Sequence, residues 1–271
     1  MKWLTLVILF LLLVACSPQD DLEPPTNPYD PDNPEYELPA VSFVCDIDYG
    51  KIIDTTVATI VWQGNETAYE YSYRYGLEVI ETDWSEWSQD TSVTLRHLDE
   101  GNYQIDVKAR TDQTVPVEGE VQSFAFSVDA VRGPATRCFP MYQELSVGQE
   151  SEIEIIAEEV DSLMGTEFQI LFNPTVIRVN SVALSPFLYG DGANGVSFKE
   201  IDNDNGTIDM VVVRSSASAP TVSGTGAIAI LEIEALSAGT AHIEINKSVF
   251  KNQNNDEINV DQRVNGIVAV K

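Results

Sequence analysis

The stretch Leu163–Val182, LMGTEFQILFNPTVIRVNSV, decides the fold. Phe168, Ile170 and Phe172 alternate with Glu167, Gln169 and Leu171, the two-residue period of a strand with one buried face. Asn173-Pro174 breaks the run, because proline cannot donate to a ladder and disfavours helix in the residue before it. Val176, Val179 and Val182 resume it, so the stretch reads as two β-strands and a short turn. Further on, Gly224-x-Gly226 opens the apolar strand AIAILEIEAL, followed by SAGTAHIEI and a closing GIVAV.

The same rhythm extends over the rest of the chain, and no helical-period segment interrupts the strands between Ala40 and Ala130. At 271 residues two domains are expected, each large enough for its own core. The first, residues 40–131, is predicted to hold strands near Val41–Asp46, Thr55–Gln63, Ala68–Tyr75, Thr91–Leu95, Asn102–Thr111 and Val121–Val128. Gly133-Pro134 marks the boundary. The second, residues 138–271, starts near Cys138 and continues through Glu152–Glu158, Thr166–Phe172, Val176–Ala183, Val196–Ile201, Thr207–Val213, Ala227–Ala235, Thr240–Asn246 and Asn265–Val270. The fold class is all-β, two consecutive β-sandwiches.

The order G-x-x-F-x-I-x-F-N-P-x-V, then G-T-G-x-I-A-x-L-x-I-x-A, then G-x-x-x-I-x-I resembles the cohesin family over Phe139–Lys271. The resemblance implies a nine-stranded jelly roll that binds a dockerin module, usually one carried by a polysaccharide-degrading enzyme. It also implies a binding face: the outer surface of the sheet made by the third, fifth, sixth and eighth strands. Alternation along those strands sorts Glu167, Gln169, Leu171, Lys199, Ile201, Asp209, Val211, Val213, His242 and Glu244 to that face. Glu167 matches the position where cohesins place an acidic or amide recognition residue, whereas Lys199 stands where an acidic one is expected. Leu171, Val211 and Val213 would form an apolar centre within a charged rim. In the first domain, LDEGNYQIDVKA resembles the sixth-strand region of fibronectin type III-like domains, where the tyrosine, here Tyr103, bonds upstream backbone at a corner. The same domain resembles the tyrosine-rich sandwich of bacterial sensor ectodomains.

The N-terminus points to export. Trp3–Val14 is a 12-residue apolar run, short for a bilayer span, ending in Leu13-Val14-Ala15-Cys16, which resembles a bacterial lipobox. Residues 1–15 are then a signal peptide and Cys16 carries the lipid, each buried CH₂ contributing about 0.8 kcal/mol of anchoring. Ser17 after it leans towards an outer-membrane or cell-surface location. Residues 16–39 form an acidic tether; seven prolines, seven acidic residues and no basic one between Ser17 and Pro39 predict an extended segment reaching roughly 70 Å at about 3.1 Å per residue. Cys45 and Cys138, in an exported chain, are the candidate disulfide; its loop of about 90 residues would contribute roughly 4–5 kcal/mol.

Catalytic and metal signals are few, and the chain reads as a non-enzyme without cofactor. The net charge of −28 argues against nucleic acid as partner, since phosphate contacts need clustered Lys and Arg. Two histidines, His97 and His242, one per domain, exclude a His-rich metal cluster. Gly190-x-Gly192-x-x-Gly195 spells a dinucleotide fingerprint but lies between strands, with no helix to follow. Asp202–Gly206 fails the spacing of a helix-loop-helix calcium loop and reads as a type I′ hairpin turn at Asn205-Gly206, with calcium on an irregular Asp/Asn loop left open. Trp84-Ser-Glu-Trp87-Ser spells the WSXWS box of cytokine receptors but precedes the strand that the box should follow. Tyr69, Tyr71, Tyr73 and Tyr75 share a strand face, either core or a sugar-stacking platform. Three function classes remain: a lipid-anchored docking protein for a dockerin-bearing partner, a carbohydrate-binding lipoprotein, and a structural or sensor ectodomain. The second domain has no Trp and only Phe187 and Tyr189 as candidate stacking aromatics, which favours docking.

Overall fold

The structure, a computed structural model, describes residues 26–27, 30, 32–79, 82–189, 194–215 and 220–271. Cys16, the signal segment and the first part of the tether lie outside them. Among the described residues of the tether, 32–35 form turns. Asp30, Asn33 and Tyr36 each donate their backbone N–H to the carbonyl three residues back, on Asn27, Asp30 and Asn33. The sequence places proline directly after each of those three acceptor residues, a turn signature. From Leu38 the chain is tied down, because Asn65 donates its side-chain amide to the Leu38 carbonyl and accepts from the Ala40 N–H.

The described residues of the first domain form seven strands: β1 (Val41–Phe43), β2 (Ile52–Ile53), β3 (Ala58–Gly64), β4 (Glu70–Leu77), β5 (Ser92–Leu95), β6 (Gly101–Arg110) and β7 (Gln122–Val128). They form sheets β1-β3-β5 and β2-β7-β6-β4. One core between them holds Ile60, Trp62, Tyr71, Ile105, Val107, Phe124 and Phe126. The corner bond expected of Tyr103 is present: its hydroxyl accepts the Asp99 N–H at 2.8 Å, and its ring stacks on Phe126.

The second domain runs through β8 (Ala135–Phe139), β9 (Tyr142–Leu145), β10 (Glu150–Leu163), β11 (Gly165–Leu171), β12 (Ile177–Leu184), the single helical turn α1 (Pro186–Tyr189), β13 (Asn194–Asp202), β14 (Thr207–Ser215), β15 (Val222–Ala235), β16 (Gly239–Lys251), β17 (Glu257–Ile258), β18 (Gln262–Val264) and β19 (Gly266–Val270). The nine expected strands are joined by the short pieces β9, β17 and β18, and a helical turn stands where none was expected. One sheet orders β12-β15-β10-β8-β18; the facing sheet orders β13-β14-β11-β16-β19-β9, with β17 beside β16. Pro140, without an N–H, ends β8, and the chain crosses to the other sheet as β9. Between the sheets lies an apolar core that includes Ile155, Leu163, Phe168, Ile170, Met210, Val212, Leu231, Ile243 and Phe250.

The candidate disulfide is a correction. Cys45 and Cys138 are both free. Cys138 faces inward from β8, fully buried in the second core, while Cys45 packs against the first core and donates to the Ile47 carbonyl. The two thiols belong to different sandwiches. Burial pushes the Cys138 thiol up to about 12, which keeps it protonated and inert.

Where the domains meet, the turn between β5 and β6 supplies two carboxylates to backbone. Asp99 accepts the Met141 N–H at 2.8 Å; Glu100 accepts those of Ala130 and Val131, each at 2.9 Å. Burial raises the Asp99 carboxyl to about 6, against the lowering effect of the Met141 N–H and the Arg137 charge. A raised acid binds its proton more tightly in the folded protein. Its stabilising contribution is therefore full below about pH 4 and is lost as pH rises through about 6. Asp99→Asn keeps an acceptor for Met141 and removes the buried charge. Relative to wild type it should gain on the order of 2–3 kcal/mol between pH 4 and pH 7.5, read from urea unfolding midpoints at the two pH values. Parallel pH profiles for the two proteins would contradict the assignment.

Candidate docking face

The outer surface of the sheet β13-β14-β11-β16 is built by alternation, residue by residue. On β11, Phe168 and Ile170 are buried and Glu167, Gln169 and Leu171 face outward. On β14, Ile208, Met210 and Val212 are buried while Asp209, Val211 and Val213 face outward, as the pleat requires. These six residues lie where the sequence placed them.

Lys199 and Ile201 are corrections. Antiparallel pairing sets Lys199 opposite Met210 and Ile201 opposite Ile208, both inner residues, so these side chains lie on the inner side of β13. Ile201 packs against the second core. Lys199 runs its aliphatic stem past the sheet edge and donates its ammonium to the Val182 carbonyl on β12 at 2.6 Å. The outward residue in their place is Phe198, opposite Val211 and 53% exposed.

Cross-strand rows then assemble a patch. Phe198 is opposite Val211, Val211 opposite Glu167, and Glu167 opposite Val249. In the adjacent row, Val213 is opposite Gly165 and Gly165 opposite Lys251. Val211 and Val213 remain 37% and 39% exposed. A groove of about 330 Å³ is lined by Gly165, Val211, Val213 and Val249 together with Asn252, Gln253 and Asn255. A polar border follows: Lys247 pairs with Glu167, Gln169 donates to Asp209 at 3.0 Å, and Asn246 donates to Gln169 at 2.6 Å. Leu171 and Glu244 pair in the last row of β11. His242, exposed, lies beyond that row opposite Ile267 on β19, away from the apolar centre. The structure thus brings Glu167, Gln169, Asp209, Val211 and Val213 together, adds Phe198 and Val249, and leaves His242 at the periphery.

The loop Asn203–Gly206 is not a type I′ turn. Asp202 pairs with Thr207 across four residues, and of these only Gly206 has positive φ, +69°. The Asp202 carboxylate accepts the Asp204 and Asn205 N–H groups, and bonds from Asn205 hold its pKa below the usual value. Asn203 both donates to and accepts from the Val179 backbone, at the irregularity in β12 pairing. These side chains are committed to shaping the turn.

The aromatic candidates for sugar stacking are committed too. Tyr71 is buried and Tyr73 and Tyr75 pack on the first core, leaving Tyr69 exposed. Trp84 and Trp87 pair back onto β4 through Ser85 and Ser88, which bond Tyr73 and Tyr71 backbone. Their indoles interleave with cations of β4 and β6: Arg74 and Lys108 lie 4.7 Å from the Trp84 ring, and Lys108 and Arg110 lie 5.1 and 4.5 Å from Trp87. The WSXWS letters therefore form a ladder that covers β4. In the second domain, Phe187 and Tyr189 pack against the core and over Gly226 and Gly195, where any Cβ would collide with the rings.

No family model matches the chain, and no curated protein sequence matches it. Solved structures do. A non-cellulosomal cohesin from the hyperthermophilic archaeon Archaeoglobus fulgidus shares 11% identity over 51% of this chain and 90% of its own, with a TM-score of 0.42. A type II cohesin domain from the cellulosome of Acetivibrio cellulolyticus shares 15% over 49% and 94%, at 0.45. A type I cohesin–dockerin complex from Clostridium thermocellum matches at 11% over 51% and 98%, at 0.43. Each of these is a cohesin, the family that the motif order of Phe139–Lys271 resembles.

Proposed function

We propose that this chain is a lipid-anchored surface protein whose second domain docks a dockerin-bearing partner, a polysaccharide-degrading enzyme, through the outer face of β13-β14-β11-β16. The observation that carries the reading is the apolar centre of that face. Phe198, Val211 and Val213 stay partly in water although the inner side of the same sheet is filled. Fully burying an apolar side chain of this kind contributes about 1.5–3 kcal/mol, and a contiguous set within a polar border has the anatomy of a protein-binding patch. The polar border of Glu167, Lys247, Gln169 and Asp209 supplies directional bonds that fix a partner's register. The carbohydrate-binding alternative needs exposed coplanar rings, and the aromatic residues of the second domain outside its core reduce to Phe198, to Phe139, which is half-buried under Arg137, and to Tyr142, whose ring stacks on His97. The lipobox ending at Cys16 and the acidic residues that follow support attachment at the cell surface.

Two outcomes check this reading. Val211→Asp should abolish binding to a dockerin-bearing protein in a calorimetric titration while shifting stability by less than about 0.5 kcal/mol, as for an exposed site. Undiminished binding would remove β14 from the interface. Separately, the mature protein should partition into detergent with an acylated cysteine. Cys16→Ser should be released in soluble form, and a membrane-bound variant of unchanged mass would refute the anchor.

A further inference from the structure

Every backbone N–H of the segment that connects the two sandwiches has an acceptor within the protein. Taken in order, the N–H of Asp129 goes to the Ile53 carbonyl, those of Ala130 and Val131 to Glu100, that of Arg132 to Gln262, and that of Gly133 to Glu159. Pro134 has no N–H, and its carbonyl accepts from Asp261. The first three donors are held by the first domain and the next two by the second. A flexible linker between domains is ordinarily polar, exposed and hydrogen-bonded to water. Here the linker is shared between two folded surfaces along its whole length.

Packing points the same way. Val131 is 2% and Met141 5% exposed, so the junction buries an apolar residue on each side of the boundary. Asp99 reaches across to the Met141 N–H while its own N–H is fixed by the Tyr103 hydroxyl, so the corner of the first domain is itself braced. On the other side, Glu158 and Glu159 lie at an irregularity of β10 where Glu159 has φ of +47°. That irregularity is held: Glu158 bonds Arg137, and Thr225 both donates to Glu158 and accepts the Glu159 N–H. Any side chain at Gly133 would meet the Glu158 carbonyl at 2.2 Å, so the linker lies directly against the bulge. His97 and Tyr142 add a stacked ring pair, centroids 5.5 Å apart, across the same boundary.

We infer that the β5–β6 corner of the first domain is a socket that locks the second domain in one orientation. The two sandwiches then move as a single unit, and the first domain aims the outer face of β13-β14-β11-β16 instead of serving as a loose spacer. Distances between spin labels test this on the full chain. Nitroxides are placed on Ser92→Cys in β5 and Glu232→Cys in β15, both exposed, in a Cys16→Ser, Cys45→Ser background with Cys138 left buried. Pulsed electron resonance should give one narrow distance distribution, and a broad or multimodal one would overturn the inference. Asp99→Ala combined with Glu100→Ala should broaden it, while Glu100→Gln, which keeps an acceptor, should leave it narrow. A distribution equally narrow in the double alanine variant would show that the corner is not the lock. Circular dichroism confirms that both sandwiches remain folded, and the wild-type distribution decides the question of rigidity without either variant.

Discussion

The inner packing of β11 and β14 is the constraint on which the rest of the second domain depends. Phe168, Ile170, Ile208, Met210 and Val212 are each at most 1% exposed against the facing sheet. At about 1.5–3 kcal/mol for each buried side chain, a register that turned this face outward would be strongly disfavoured. Once that face is fixed, the pleat leaves no choice for the neighbours in sequence: Glu167, Gln169, Asp209, Val211 and Val213 must point outward. The exposed valines follow from the buried methionine and isoleucines. Their persistence on an open face, without a local packing role, is what makes the surface a candidate for docking.

The same domain is held at its other end by a polar device. Arg137 and Glu158, both buried, pair at 2.6 Å beside the junction, while Glu100 accepts from the linker donors Ala130 and Val131 and Asp99 accepts from Met141 at the start of β9. A binding face gains little from a rigid sheet if the sheet swings freely on its support. The socket at the β5–β6 corner and the alternation of β11 and β14 are therefore complementary: one positions residues within the face, the other positions the face on the molecule.

Much of this could be read from residues alone, for physical reasons that differ by element. The alternation on β11 and β14 was plain because those strands are central and their inner residues are uniformly apolar. β13 misled because it is an edge strand, where a lysine can turn inward and reach a carbonyl at the rim, as Lys199 does with Val182. A signal was present nonetheless. Any hairpin loop with an even number of residues pairs Ile201 and Lys199 with the inner residues of β14, which puts Phe198 outside. In the tether, proline position matters beside proline content, since Asn33-Pro34 stands at a turn. The cysteines carried no pairing information, because which core each strand faces is decided by tertiary structure. Nor could the junction be foreseen: Asp99 and Glu100 look like ordinary turn residues until the linker is laid across them.

The central claim is that the outer face of β13-β14-β11-β16 is where a partner binds. Hydrogen exchange on the full chain, with and without a saturating dockerin-bearing protein, tests it most directly. New protection is expected in β13, β14, β11 and the Ser248–Asn255 segment, with β10, β12 and β15 of the opposite sheet unchanged. Protection confined to the β12-β15-β10 sheet, or none anywhere, would contradict it.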